Sequence, residues 1–174
     1  MTKYKACICE GGAERVILNL LLDQDKLIFS RDELLEEEIL KSRKGKEFEE
    51  KYLRKEFSGK ITVYRILDSR RENFKISKAY QDKVEIVNVI TAPEIEMLII
   101  CNEGKYKDFE KRKKMSPSEY CKSVLKLKNV KSVAFVKEYF SDIAVLENSL
   151  HEYKRVSKVR KGEETIWGLL KSSQ

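Results

Sequence analysis

The sequence predicts an α/β protein: a mostly parallel sheet flanked by helices, followed by a C-terminal helical appendage. Three observations lead there. Short runs rich in β-branched and aromatic residues (KYKACIC, KITVYRIL, VEIVNVI) alternate with apolar, helix-period segments over the first hundred residues. With 174 residues, 41% of them hydrophobic, the chain can bury a proper core without disulfides or a structural metal. Only two prolines and seven glycines punctuate it, with no internal repeat and no low-complexity linker. One compact unit follows, with an α/β body over 1–104 and a basic helical appendage over 105–174 packed upon it.

Each element has its own signal. KYKACIC reads as a short buried strand, and GGAERVILNLLLDQ as an apolar helix. KLIF, residues 26–29, reads as a second strand. Ser30 and Glu33 form a capping box, the hydroxyl accepting a first-turn amide while the carboxylate reaches back. It is expected to open a long helix, DELLEEEILKSRKGKEFEEKYLRKEF, weakened at Gly45 and ending near Ser58-Gly59. KITVYRIL is the clearest strand and ends at Asp68, residues 73–82 make a short helix or loop, and VEIVNVI is the next strand.

Pro93 at a first helical position opens PEIEMLIICNEG, which stops at Gly104. Farther on come a charged helical segment from Lys105 to Lys114 and a second capping box, SPSE at 116–119, with Pro117 inside it. One or two helices run from Ser132 to about Arg155 with a restart at Ser141-Asp142, and ETIWGLLKSSQ supplies a short docking helix carrying Trp167. Strands separated by helices imply a parallel sheet covered on both faces.

Composition removes several classes of function. No apolar run approaches the roughly 20 residues needed to span a bilayer. MTKYKACICEGG lacks a signal-peptide layout, so a cytoplasmic chain away from the membrane is expected. The single histidine, His151, lies in a polar helical context and reads as a surface residue, which leaves a Ser-His-Asp triad or a two-histidine metal motif little to work with. CEGGAER matches neither glycine-rich phosphate-loop pattern. Of the four cysteines, Cys7 and Cys9 lie two apart in a strand, point to one face, and read as small packing residues; Cys101 and Cys121 are isolated.

The net charge of +7 is uneven. Residues 1–96 balance at 19 Lys/Arg against 19 Asp/Glu, whereas residues 97–174 hold 17 against 10. Such asymmetry suggests an acidic partner, most commonly nucleic acid, although solubility alone would also account for it.

Carboxylates at strand ends are the remaining source of chemistry. In parallel α/β sheets ligands collect beyond the carboxyl ends of the strands. Glu10 closes the first predicted strand, Asp68 closes KITVYRIL, and Glu94 and Glu96 follow VEIVNVI. If those strands are neighbours the acids converge, and a hard cation such as Mg²⁺ would relieve their repulsion. Each acid has a plainer reading. Glu14 and Glu94 suit the first turn of a helix, Asp68 suits a turn, and Glu72 suits an ordinary surface.

In that context ACICEGGAERVILNLLL resembles the opening motif of Toprim domains, a hydrophobic strand followed by Glu-Gly and a helix with a second Glu four residues on. ITVYRILDSR resembles the later strand carrying the family's Asp motif. TAPEIEMLII is similar to a segment of small stand-alone Toprim-like proteins and of the nuclease part of OLD-family proteins. The likeness covers residues 4–104 in order. It implies a Toprim-like (Rossmann-like) sheet and a nuclease using Mg²⁺ or Mn²⁺. It also implies Glu10 as the invariant acid (metal ligand or general base), Asp68 as a metal ligand, and Glu14, Glu94 and Glu96 as supporting acids. Where the family carries Asp-x-Asp, this chain has Asp68-Ser69-Arg70. Nothing after residue 104 has a recognised counterpart.

Arg65, Arg70 and Arg71 could clamp a phosphate beside the acids, or pair with Glu94 or Glu96 and need no ligand. In KYKDFEKRKK, Lys111, Arg112, Lys113 and Lys114 stand near Tyr106 and Phe109. The cations could contact phosphates while the rings stack on bases, or helical spacing could make the rings core. The expected function is a Mg²⁺-dependent nuclease cutting DNA or RNA, which the resemblance links to microbial defence or RNA processing. The alternative is a non-catalytic module, with a degenerate site, that binds nucleic acid, a protein partner or a second copy of itself.

Overall fold

The computed structural model describes residues 4–41, 44–54, 59–70, 74–91 and 95–173. Its centre is a four-stranded, all-parallel sheet in the order β1-β2-β3-β4, made of β1 (Lys5–Cys9), β2 (Ile61–Leu67), β3 (Val84–Ile90) and β4 (Glu163–Glu164). Three of these strands fall on the predicted runs. The fourth does not: KLIF stays out of the sheet, and β4 comes from the C-terminal region, pairing Asn88 with Glu163 and Val89 with Glu164.

The period-2 alternation sorts side chains onto two faces. Cys7 and Cys9 of β1 join Tyr64, Ile66 and Val89 on one face. There they meet α1 (Gly12–Asp23), α3 (Glu96–Asn102) and α7 (Ile143–Val156). Ile17, Leu18 and Leu21 of α1, Ile99 and Ile100 of α3, and Leu146 of α7 are fully excluded from water. Burying a Leu or Ile side chain contributes about 1.5–3 kcal/mol, so this face carries most of the stabilisation. The opposite face is thinner. Ala6, Ile8, Ile61, Val63 and Val84 pack under Phe48, Leu53, Phe74 and Ile76. Phe48 ends the short helix α2 (Gly45–Phe48), and Leu53 ends the π-helical turn Glu49–Leu53 that continues it. A side chain on Gly45 would strike the backbone of Lys75, so glycine is what allows this close approach.

The long helix expected over 32–57 forms only in part: among the described residues Gly45–Leu53 is helical, and the stretch before it is not one helix. Ser30 and Glu33 do make their capping box, but it opens only a 3-10 turn, Arg31–Glu33, followed by another, Leu35–Glu37. Glu36 and Glu37 take positive φ (59° and 54°). The competing force is the free edge of β1. Leu34 and Leu40 bridge to Lys5 and Ile8, and Cys9 donates to Leu40 O (2.9 Å) while Leu40 donates to Cys7 O (2.8 Å). A continuous helix would forfeit those bonds.

KLIF found a different partner too. Ile28 donates to Leu169 O (2.8 Å), Lys171 donates to Lys26 O (2.9 Å), and Phe29 stacks on Tyr64 with ring centroids 5.0 Å apart.

The C-terminal helices follow the expected capping signals. Ser116 and Glu119 form a reciprocal capping box on α5 (Pro117–Ser123), with Pro117 in its first turn. Asp142 caps α7 after a break from α6 (Val133–Tyr139). The predicted terminal docking helix is two short 3-10 turns, Ile166–Leu169 and Lys171–Ser173, with Trp167 against His151 (centroids 4.8 Å). Among the described residues no helix is long and apolar enough to cross a membrane.

Candidate functional site

Parallel pairing settles where the strand-end acids go. Cys9 is opposite Ile66 and Leu67 is opposite Ile90, so β1, β2 and β3 finish together at one edge. Glu10 leaves β1 one residue past the Cys9–Ile66 pair, and Asp68 leaves β2 one residue past Leu67. They therefore emerge side by side from neighbouring strands, whose spacing is about 4.8 Å. Thr91 ties the ends of β2 and β3 together, its amide (2.9 Å) and hydroxyl (3.1 Å) both donating to Leu67 O.

Glu14 joins them because of its position in the first turn of α1. Gly11 is the N-cap residue, and Glu14 folds its carboxylate back over Gly11 so closely that a Cβ there would collide with it. Burial raises the Glu14 pKa; its own amide N–H opposes that, the negative charge of Asp68 raises it further, and the ammonium of Lys131 draws it down. Glu14, Asp68 and Lys131 thus share one electrostatic neighbourhood. Arg15, next along α1, turns the other way and donates to Ile39 O at 2.6 Å, fastening the helix to the irregular edge beside β1.

Glu96 is positioned differently from the rim. It begins α3 and is 0% exposed, with the Lys131 Nζ 3.4 Å from its Oε1. Lys131 lies on the segment before α6, where Val133 packs on Gly12. Sequence reasoning missed Lys131, since nothing local marks it and 34 residues separate it from Glu96. Glu94, Arg71 and Glu72 lie outside the described residues. Among the described residues, no three His, Cys, Asp or Glu side chains gather as a metal-holding group.

Arg65 and Arg70 are held by protein groups. Arg70 grips Glu163 of β4 with two parallel bonds, Nε to Oε1 at 2.9 Å and Nη2 to Oε2 at 2.9 Å, and Nη2 also reaches Lys158 O at 3.3 Å. Pairing is one of the two expected fates for Arg70; among the described residues its partner is Glu163, and Glu96 pairs with Lys131 instead. The guanidinium hydrogen bonds hold the Glu163 carboxyl below the usual glutamate range. Arg65 is buried, with Nη1 3.2 Å from Asn88 Oδ1 and its guanidinium 4.8 Å from the Phe74 ring centre.

In the basic segment, α4 (Tyr106–Lys111) turns Phe109 edge-on to Tyr120 at 5.4 Å. Tyr106 and Phe109 pack against the large core, as helical spacing allowed. Lys111, Arg112, Lys113 and Lys114 are all exposed, and Arg112 pairs with Asp108 at 3.1 Å.

All four cysteines are free and buried. Burial pushes the Cys7 and Cys121 thiols up to about 12 and Cys101 to about 11, so they stay protonated packing groups. In comparisons with protein-family models, curated proteins and solved structures, nothing matches this chain.

Proposed function

We propose that this chain is a Toprim-like nuclease, dependent on Mg²⁺ or Mn²⁺, that hydrolyses phosphodiester bonds in DNA or RNA. The observation that carries the reading is the shared sheet edge, where Glu10 and Asp68 leave neighbouring parallel strands and Glu14 sits in the first turn of the helix that follows β1. The donor set is all oxygen, and the carboxylates of Glu14 and Asp68 repel each other. Mg²⁺ keeps several waters and is commonly held by only one or two carboxylates together with substrate phosphates. Glu14 and Asp68 suit that mode, in which the substrate completes the coordination. When bound, the ion would offset charge developing on the phosphate and lower the pKa of a water.

The protein's own groups do the rest. Asp68, exposed on its turn, and Glu14, held over Gly11, would hold the ion through their carboxylate oxygens. Glu10 at the neighbouring strand end would take the proton of the attacking water. Lys131 limits the repulsion between Glu14 and Asp68, and the exposed lysines of the C-terminal region draw the polyanion in.

One set of observations favours the second reading, a non-catalytic nucleic-acid- or protein-binding module. Arg70 stands where the family has an acid and is engaged by Glu163, while Glu96 is buried against Lys131. Titration with Mg²⁺ and Mn²⁺ over single- and double-stranded DNA and RNA separates the two. The nuclease reading expects metal-dependent cleavage that falls by roughly 100-fold or more in Glu10→Gln and Asp68→Asn, since several kcal/mol of charge stabilisation is lost. Nucleic-acid binding with no metal response and no cleavage would leave the module.

A further inference from the structure

We propose that a cleft beside Arg70 takes an unpaired base of a single-stranded nucleic acid, with the adjoining backbone directed toward Asp68. This rests on the nuclease reading for its consequence, but not for its geometry. The cleft has a volume of about 390 Å³, within the range of small-molecule sites. Its floor is buried, formed by Met97 and Tyr153 (3% and 4% exposed). One wall is α4, which presents the half-buried rings of Tyr106 and Phe109; the other is the loop after α7, at Ser157–Val159.

Charge surrounds this apolar interior. On the α4 side Lys105, Lys107 and Lys111 are exposed, and on the loop side Lys158, Arg160 and Lys161 are exposed. Arg70 and Lys158 reach the lining beside these rings, and single strands bind such places by stacking bases on the rings while cations follow phosphates. Duplex bases are stacked within the helix and cannot enter a recess of this kind, whereas splayed bases can. The cleft is linked to the rim through Arg70. Arg70 lines it, lies two residues beyond Asp68, and is fixed in place by Glu163. A base seated here brings a neighbouring phosphate to the carboxylates.

The test is binding by the full chain in EDTA, where turnover cannot contribute. Fluorescence anisotropy would compare a labelled oligothymidine, an abasic strand with the same number of phosphates, and a blunt duplex. The oligothymidine should bind roughly tenfold tighter than the abasic strand, the scale of one base stacked on a ring. Tyr106→Ala should remove most of that advantage, and Tyr106→Phe should keep it. Lys158→Glu, on the surface and without consequence for folding, should weaken the oligothymidine and abasic strands alike. Equal affinity for thymidine and abasic strands, or an advantage that survives Tyr106→Ala, overturns the cleft. Preference for the oligothymidine without cleavage under any metal would sink the nuclease reading alone. Duplex cleaved as readily as single strands, with no base preference in EDTA, would sink the cleft alone.

Discussion

Asp68 and Arg70 follow the same strand two residues apart, and each acts on the charge of a glutamate brought from another element. Arg70 meets Glu163 with opposite charge and two short parallel bonds, and the Glu163 pKa falls. The Glu14 pKa is raised first by burial and then by the like charge of Asp68. The clamp fastens β4 to the sheet. The rim works against the fold, since ionising Glu14 in the native state costs more than in the unfolded chain. The proposed site is built on this unfavourable charge at a strand-end edge, whereas the clamp serves stability.

Three substitutions would sharpen or break this contrast. The largest effect is expected from Gly11→Ala. The backbone at Gly11 (φ −65°, ψ 133°) suits alanine, so thermal unfolding should move little. The new Cβ would nevertheless evict the Glu14 carboxylate, and displacement of a positioning group by about 1 Å can cost up to about 100-fold in rate. Cleavage should fall by at least tenfold at nearly unchanged Tm; a large loss of Tm with no loss of rate would erase the distinction.

Next comes Glu163→Gln. The native pKa of Glu163 is depressed, so its contribution is present above the ordinary glutamate range and is lost as pH falls through the native value. The variant should therefore have a lower Tm than the parent at neutral pH, and the gap should close in acid.

Glu14→Gln should give the smallest shift, and one of opposite sign. A raised native pKa means the fold is favoured while Glu14 is protonated, and this advantage disappears as pH climbs through that pKa. Melting curves should place the variant slightly above the parent at neutral pH and level with it in acid, while cleavage drops. If Glu14→Gln lowers Tm at neutral pH, the rim is structural.

How far the sequence could be read depended on the range of the forces involved. VEIVNVI became β3 over its whole predicted length, and the SPSE box capped α5 as expected, because alternation and capping involve residues a few positions apart. The strong helical propensity of DELLEEEILK lost to hydrogen bonds offered by the β1 edge, some 30 residues earlier. For the rim, the strand ends of Glu10 and Asp68 were legible, because parallel strands expose their carboxyl ends together. Lys131 was not, since its partner Glu96 lies on a distant helix and the pairing needs the packing of α6 on α1 to exist. Arg70 was legible as a charge beside the rim, but nothing local points to Glu163.

By itself, then, the chain's order of residues determined an α/β architecture, three of its strands, its principal caps and the acids at the strand ends. Tertiary structure alone decided that a two-residue strand near the C-terminus completes the sheet, that Glu96 is enclosed with Lys131, and that Arg70 holds β4 instead of standing open. The physical reason is one of distance along the chain. Periodicity and capping act over a few residues and leave a pattern, whereas the pairing of far-separated charges and strand edges depends on where the folded core places them.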